Sequence, residues 1–350
     1  MGKETQEQRS PWMTIVSIVS LLAGAGGLGW MIYKIGPGNL RDGMAQVGWA
    51  FAIMLLAYLA SMIGSAATLR YCVGREGHRV PFAVYVRASL AGHAINEATP
   101  LGKLGEVTKF TLLTERMPQA RAASALIIHN FVSFIVACAM IASSPVCALI
   151  WFDTTRALTI TLAIAAGVFA LLGIGSFLVF WFGLGRWPFK VMRWVRVPRK
   201  RRERWEKKWK KVADEWREAA RDRGSMRMAF LTNLGSRAIA LVEPALALHL
   251  LGVHHPIAAA WLSSANYQVV FWLTSFVPMQ AGTAEAGAYG LFEGLGLSPG
   301  VGVLLEILRK MRRIAFITLG VAVLGWSNFN GLKREARTRR AHRRAAAEEA

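Results

Sequence analysis

Apolar runs recur along the chain at roughly 13–33, 49–73, 122–142, 157–183, 228–251 and 300–326. Each is close to the ~20 residues that an α-helix needs to cross a hydrocarbon core of ~30 Å. The pattern predicts an all-α polytopic membrane protein with about six full spanning helices. Two further apolar stretches, about 82–98 and 257–277, are shorter and run into Gly/Pro-rich segments, Asn96–Gly102 and Pro278–Gly282. Proline and glycine interrupt helices, and irregular backbone is tolerated at membrane depth only when protein or a water-filled cavity surrounds it. Both stretches are therefore expected to be re-entrant or broken helices.

Charge sharpens this picture. Hydrophobic residues make up 54% of the 350, yet the formal net charge is +21. The two populations are segregated, as a bilayer sorts them. The excess of Lys and Arg thus sits where topology requires it, which argues against nucleic-acid binding. Segment 184–227 holds 17 Lys/Arg against six acidic residues, and the tail 331–350 is also basic. The positive-inside rule places both in the cytoplasm, with Arg70, Arg75, Arg79, Lys103, Lys109, Arg116 and Arg121 on the same side. The loops near 143–156 and 252–256 fall outside. This topology closes only if each interrupted segment enters and leaves on one face. The expected organisation is a membrane domain over 1–330, a cytoplasmic insert at 184–227 and a disordered cytoplasmic tail at 331–350. Both termini are expected in the cytoplasm of a bacterial-type inner membrane. Met13–Tyr33, preceded by Lys3 and Arg9, reads as a retained first helix rather than a cleaved leader.

Within the insert, Trp205, Trp209, Val212 and Trp216 recur at helical spacing among basic residues. Such a helix either lies on an anionic leaflet or packs its aromatic face on the membrane domain. Cys72, Cys138 and Cys147 have no disulfide or metal spacing, and His93, His129, His254 and His255 form no ligand pattern. Neither a metal nor another cofactor is expected.

A weak internal repeat is the most informative feature. Pro100-x-Gly102-x-x-Gly105-Glu106 resembles Pro278-x-x-x-Gly282-x-x-Glu285, with the glutamates 179 residues apart. The same shift carries 49–73 onto 228–252. Each glutamate is followed by a short segment, a proline (Pro118, Pro299) and another apolar run. The charge-derived topology makes the two units, about 49–142 and 228–326, inverted repeats. Inverted repeats with broken helices meeting near the midplane are an architecture of transporters.

Intramembrane charges are costly and so become functional candidates. Glu106 and Glu285 either bind a headgroup, carry a proton, pair with arginine, or stabilise a helix N-terminus. Glu306, Arg309, Lys310, Arg312 and Arg313 lie inside the last apolar run. Arg309 is the candidate for a lipid phosphate, pairing with Glu106 or Glu285 when empty; the alternative is a tilted helix whose basic groups snorkel.

Asn96, Pro100, Gly102, Gly105, Glu106 and Lys109, with Pro278, Gly282, Glu285, the Gly294–Leu297 elbow and Arg309, resemble the lysylphosphatidylglycerol synthase transmembrane-region family over roughly 13–330. That family includes the flippase half of the multiple peptide resistance factor, which moves aminoacylated phosphatidylglycerol between leaflets, and stand-alone members, some associated with hopanoid lipids. The resemblance implies a lipid-binding set of Asn96, Pro100, Gly102, Lys103, Gly105, Glu106, Lys109, Pro278, Gly282, Glu285, Glu306 and Arg309. Two departures matter. Segment 184–227 is too short for an aminoacyl-transferase domain, so no enzyme activity is implied. His129-Asn130 stands where an acidic–basic pair is expected. The expected function is a flippase- or scramblase-like translocase for a phospholipid or a polyisoprenoid/hopanoid-type lipid. The alternatives are an intramembrane lipid-modifying enzyme with Glu106 as base, or a lipid-delivery accessory protein. Expected partners are anionic or isoprenoid membrane lipids, with a second copy of the chain and lipid-synthesis enzymes as further candidates.

Overall fold

A long apolar helix with most of its surface exposed has lipid to face, and one such helix orients the rest of the molecule. In a computed structural model of the chain, which describes residues 37–98, 104–182, 199–277, 280 and 282–319, that helix is Arg156–Phe182. Its apolar window has no buried share, and Ile160, Ile164, Leu171, Ile174 and Leu178 are all exposed. An apolar surface all round marks a membrane span.

The helices, in chain order, are α1 Pro37–Val47, α2 Ala50–Cys72, α3 Phe82–Ala98, α4 Leu104–Thr114, α5 Gln119–Trp151, α6 Arg156–Phe182, α7 Arg199–Arg221, α8 Arg223–Leu250, α9 Pro256–Leu273 and α10 Thr283–Gly294. A further helix, α11, occupies 299–319. Strands are absent among the described residues, and the chain has an all-α polytopic membrane fold. By length and hydropathy, α2, α5 and α6 are able to cross a membrane. The expected spans at 228–251 and 300–326 are also helical as far as described, but carry buried charge. The first expected span, 13–33, and the tail, 331–350, lie outside the described residues.

The most extensive helix–helix contact joins α2 to α8. The pairing is antiparallel: Gln46 Nε2 donates to Leu250 O at 2.6 Å, Ser61 meets Ser236 at 3.4 Å, Thr68 meets Thr232 at 3.1 Å, and Arg75 lies 3.7 Å from Asp222. Small and hydroxylated side chains line this seam because apolar lipid gives helices no hydrophobic reason to associate. Close approach and interhelical hydrogen bonds do so instead.

Both interrupted segments fold back as helical hairpins, the form expected of re-entrant segments. In the first, α4 returns against α3, and Gly105 N donates to Asn96 Oδ1 at 2.7 Å. In the second, α10 returns against α9, and Thr283 Oγ1 donates to Thr274 Oγ1 at 3.1 Å. Helix α5 begins directly after Pro118 and α11 at Pro299, since proline's missing N–H costs nothing at a helix start.

Within the insert, residues 199–221 form helix α7 and 223–227 begin α8, while 184–198 lie outside the described residues. Of the two readings for its aromatic face, the packed one applies at its C-terminal end. Trp216 is buried, with its ring edge-on to Phe131 at 5.5 Å and to Phe180 at 5.4 Å. Arg121 of α5 bonds Glu215 at 2.8 Å and also pairs with Glu76. Trp216→Ala is expected to remove an anchor of the ~3–5 kcal/mol class for buried aromatic truncation. Trypsin should then cut α7 faster in detergent-solubilised protein than in wild type. Trp181→Ala, at an exposed ring, should leave the cleavage rate unchanged. Equal rates in all three proteins would mean that Trp216 does not hold α7 down.

Candidate functional site

The hairpin α3–α4 and helices α2, α5, α8, α9 and α11 enclose a cavity of ≈ 390 Å³. It has an unusual lining for membrane-spanning structure: Tyr58, Ser61, Ser65, His93, Asn96, Glu97, Lys109, Asn233, Arg237, Glu243, Tyr267, Arg309 and Arg312 all contribute. Charge at this depth is stable only when matched.

Five pairs match charge in the bundle, four of them with a member in the cavity lining. Lys109 Nζ donates to Glu106 Oε1 at 2.8 Å. Arg309 pairs with Glu306, three residues before it on α11, and donates also to Ser263 Oγ at 3.2 Å and Ser264 Oγ at 3.4 Å. Lys310 pairs with Glu285, and Arg312 with Glu243. Arg313 Nε lies 3.4 Å from Glu97 Oε2, and its guanidinium also reaches Tyr267 and Gln280. Aromatic faces help: the Arg312 guanidinium carbon sits 3.8 Å from the Tyr58 ring centroid, a cation–π distance. Glu243 Oε1 and Glu306 Oε2 are buried with no hydrogen-bond partner among the described residues.

These positions alter three readings of the sequence. Arg309, Arg312 and Arg313 are buried in the helix bundle, so they do not snorkel to an interface. Arg309 pairs with neither Glu106 nor Glu285; the i,i+3 spacing to Glu306 places a carboxylate one turn away on its own helix. Lys109, grouped by charge with the cytoplasmic loops, instead lines the cavity. Its stem crosses Gly92, where an added Cβ would sit 2.5 Å from Lys109 Cγ.

The two repeated glutamates occupy the third residue of α4 and of α10, respectively. Glu106 accepts from Lys109 and, at 3.3 Å, from Asn130 Nδ2. Glu285 is fully buried, accepts the Gly282 N–H at 3.0 Å with Oε2, and holds Lys310 with Oε1. A first-turn carboxylate and a structural ion pair thus coincide in one residue. Asn96 and Gly105 join the α3–α4 hairpin as described, and Gly282 takes a positive φ at the start of α10. Pro100, Gly102, Lys103 and Pro278 lie outside the described residues. His129 meets Ser65 Oγ at 3.3 Å, beside rather than within the row of ion pairs.

Sequence reasoning passed over Arg237, Glu243, Tyr58 and Tyr267. A signal existed for the first two: they are the only Arg and Glu inside the otherwise apolar run 228–251.

Among curated proteins none matches the chain. A family model described as the lysylphosphatidylglycerol synthase TM region matches residues 17–320, and the chain belongs to that family.

Proposed function

We propose that this protein is a lipid translocase, flippase- or scramblase-like, that moves a phospholipid or a polyisoprenoid-type lipid between leaflets of a bacterial-type inner membrane. The observation that carries the reading is the charged cavity between the two hairpins, within a bundle whose outer face is apolar. Four matched ion pairs around one cavity are costly to bury, and an apolar core would be at least as stable. Such a set is retained where a polar group must pass or bind. The headgroup enters this polar centre while the acyl tails stay in lipid.

Symmetry supports the same reading. The order long helix, hairpin, glutamate in the first turn, proline and long helix occurs twice, as α2–α5 and α8–α11. The antiparallel pairing of α2 with α8 is what inverted copies require, and inverted copies give two nearly equivalent states that face opposite sides. The basic residues Arg75 and Arg121 gather with α7 at one end of the bundle, which supports a cytoplasmic location for that end. No catalytic role is assigned to Glu106 in this reading: its carboxylate is held by Lys109 and Asn130.

Leaflet exchange of fluorescent lipids in proteoliposomes tests the proposal. Wild-type protein is expected to accelerate exchange, and Glu106→Gln, which keeps the side chain's shape but frees Lys109, to slow it about tenfold or more. A ~1.4 kcal/mol change in one step suffices for that. Absence of protein-dependent exchange for every phospholipid and isoprenoid probe, with and without a proton gradient, would sink the translocase reading in favour of an enzyme or a delivery protein.

A further inference from the structure

The charges around the cavity do not balance. Counting the charged residues that line it and the partners they are paired with, four carboxylates (Glu97, Glu106, Glu243, Glu306) face five cations (Lys109, Arg309, Arg312, Arg313 and Arg237), and the one left over is Arg237 of α8. Its guanidinium is held by neutral acceptors alone. Nε donates to Asn233 Oδ1 at 3.4 Å, and Nη2 donates to Ser133 O at 2.9 Å. Asn233 is fixed in turn by donating to Ser133 Oγ at 3.0 Å. Arginine has five N–H donors, so three remain without an acceptor among the described residues. Nη1, which has no partner, is not sealed in protein, because it is not among the buried polar atoms that lack one. Arg237 itself lines the cavity.

An arginine oriented by two bonds, with an open fork and no counter-charge, is a site for an anion. The other cavity cations are less available. Arg309 is occupied by Glu306, Ser263 and Ser264, Arg312 by Glu243 and the Tyr58 ring, and Lys109 by Glu106.

We infer that Arg237, rather than Arg309, anchors the transported lipid, and that its ligand is a singly charged phosphate diester. The surplus at the cavity is one positive charge, which a phosphodiester cancels. A headgroup with an added amine would return that charge to the site, and a neutral lipid would leave it uncompensated. A phosphodiester also offers two oxygens to the guanidinium fork. This inference rests on the translocase reading for the word transported, while the binding itself stands apart from it.

The test measures binding and transport separately on the full-length protein in detergent and in liposomes. Binding is read as the rise in unfolding temperature, titrated with phosphatidylglycerol, phosphatidylethanolamine, an aminoacylated phosphatidylglycerol and sodium phosphate. Phosphatidylglycerol should stabilise wild type most. Arg237→Gln should weaken its apparent affinity about ten- to a hundredfold, the range of a charge-assisted hydrogen bond, and Arg237→Lys should restore part of it. Without lipid, Arg237→Gln should unfold at or above the wild-type temperature, because an unmatched charge in the bundle is gone.

Equal phosphatidylglycerol affinity in wild type and Arg237→Gln overturns the assignment. So does stronger binding of the aminoacylated lipid than of phosphatidylglycerol, or stabilisation by sodium phosphate that matches that of the lipid. If Arg237-dependent binding appears but leaflet exchange does not, the anchor stands and the translocase reading falls. If exchange appears and Arg237→Gln leaves both exchange and binding intact, the reverse holds.

Discussion

Glu243→Ala is expected to leave little folded protein. Glu243 is fully buried in α8, and its described cationic partner is Arg312 of α11. Truncation strands that arginine in the bundle, and breaking a buried pair from one side costs about 3–5 kcal/mol. A domain's whole stability is of order 5–15 kcal/mol, so this single change consumes a large share of it. The Tyr58 ring offers Arg312 a second attraction but no countercharge. Replacing both partners, as Glu243→Leu with Arg312→Met, removes the desolvated charges together and should recover most of the lost stability. Thermal unfolding in detergent, followed by size-exclusion chromatography, distinguishes the outcomes. A single variant as stable as wild type would show that Arg312 does not depend on Glu243. Recovery of folding without recovery of lipid exchange in the double variant would place the pair in the working of the cavity and not only in its assembly.

That pair also marks where reading the sequence stops. Hydropathy located α2 and α3 to within a residue, 49–73 against Ala50–Cys72 and 82–98 against Phe82–Ala98, because both are bounded by strong signals: charge on one side and Pro/Gly on the other. The shared Gly/Pro/Glu motif likewise brought out the two hairpins, since breakers act locally. What no local rule supplies is a partner across the bundle. Glu243 and Arg312 lie 69 residues apart, and neither run names the other as its partner. Averaging over a window of about 20 residues hides one charge among many aliphatic side chains, which is how Arg237 escaped notice. The pairing of Arg309 with Glu306 was within reach, because a spacing of three on a helix puts both side chains on one face. The docking of Trp216 was not, since a basic amphipathic helix presents the same pattern whether it meets lipid or protein.

The second hairpin packs differently from the first. Position 284, the counterpart of Gly105 under the 179-residue shift, is Ala284, which is buried. There the tight approach falls one turn later, at Gly287, where an added Cβ would meet Val270 Cγ2 at 2.7 Å. A side-chain tip can give way by rotation. Backbone cannot, and that difference makes the first hairpin the more brittle of the two.

Gly105→Ala is therefore expected to disable the protein. An added Cβ at Gly105 would lie 1.8 Å from the Gly92 carbonyl oxygen and 2.5 Å from Asn96 Oδ1. Ordinary overpacking costs about 1–3 kcal/mol, and here α4 has to move off α3 as a unit. That movement breaks the Asn96 bond to the Gly105 N–H, a cap interaction usually worth ~1 kcal/mol. It also displaces the Glu106–Lys109 pair one turn on, so that even protein that folds has a distorted cavity. A matched control is Gly167→Ala in lipid-facing α6, where nothing lies within 4 Å of the added Cβ. That change should be neutral or stabilise by up to about 1 kcal/mol, since alanine loses less backbone freedom in a helix. Expression, unfolding temperature and lipid exchange measured on the two variants side by side decide the matter. A Gly105→Ala protein that unfolds at the wild-type temperature would mean that α3 and α4 do not pack backbone to backbone. One that folds but no longer exchanges lipid would tie the hairpin's close approach to the geometry of Glu106 and Lys109.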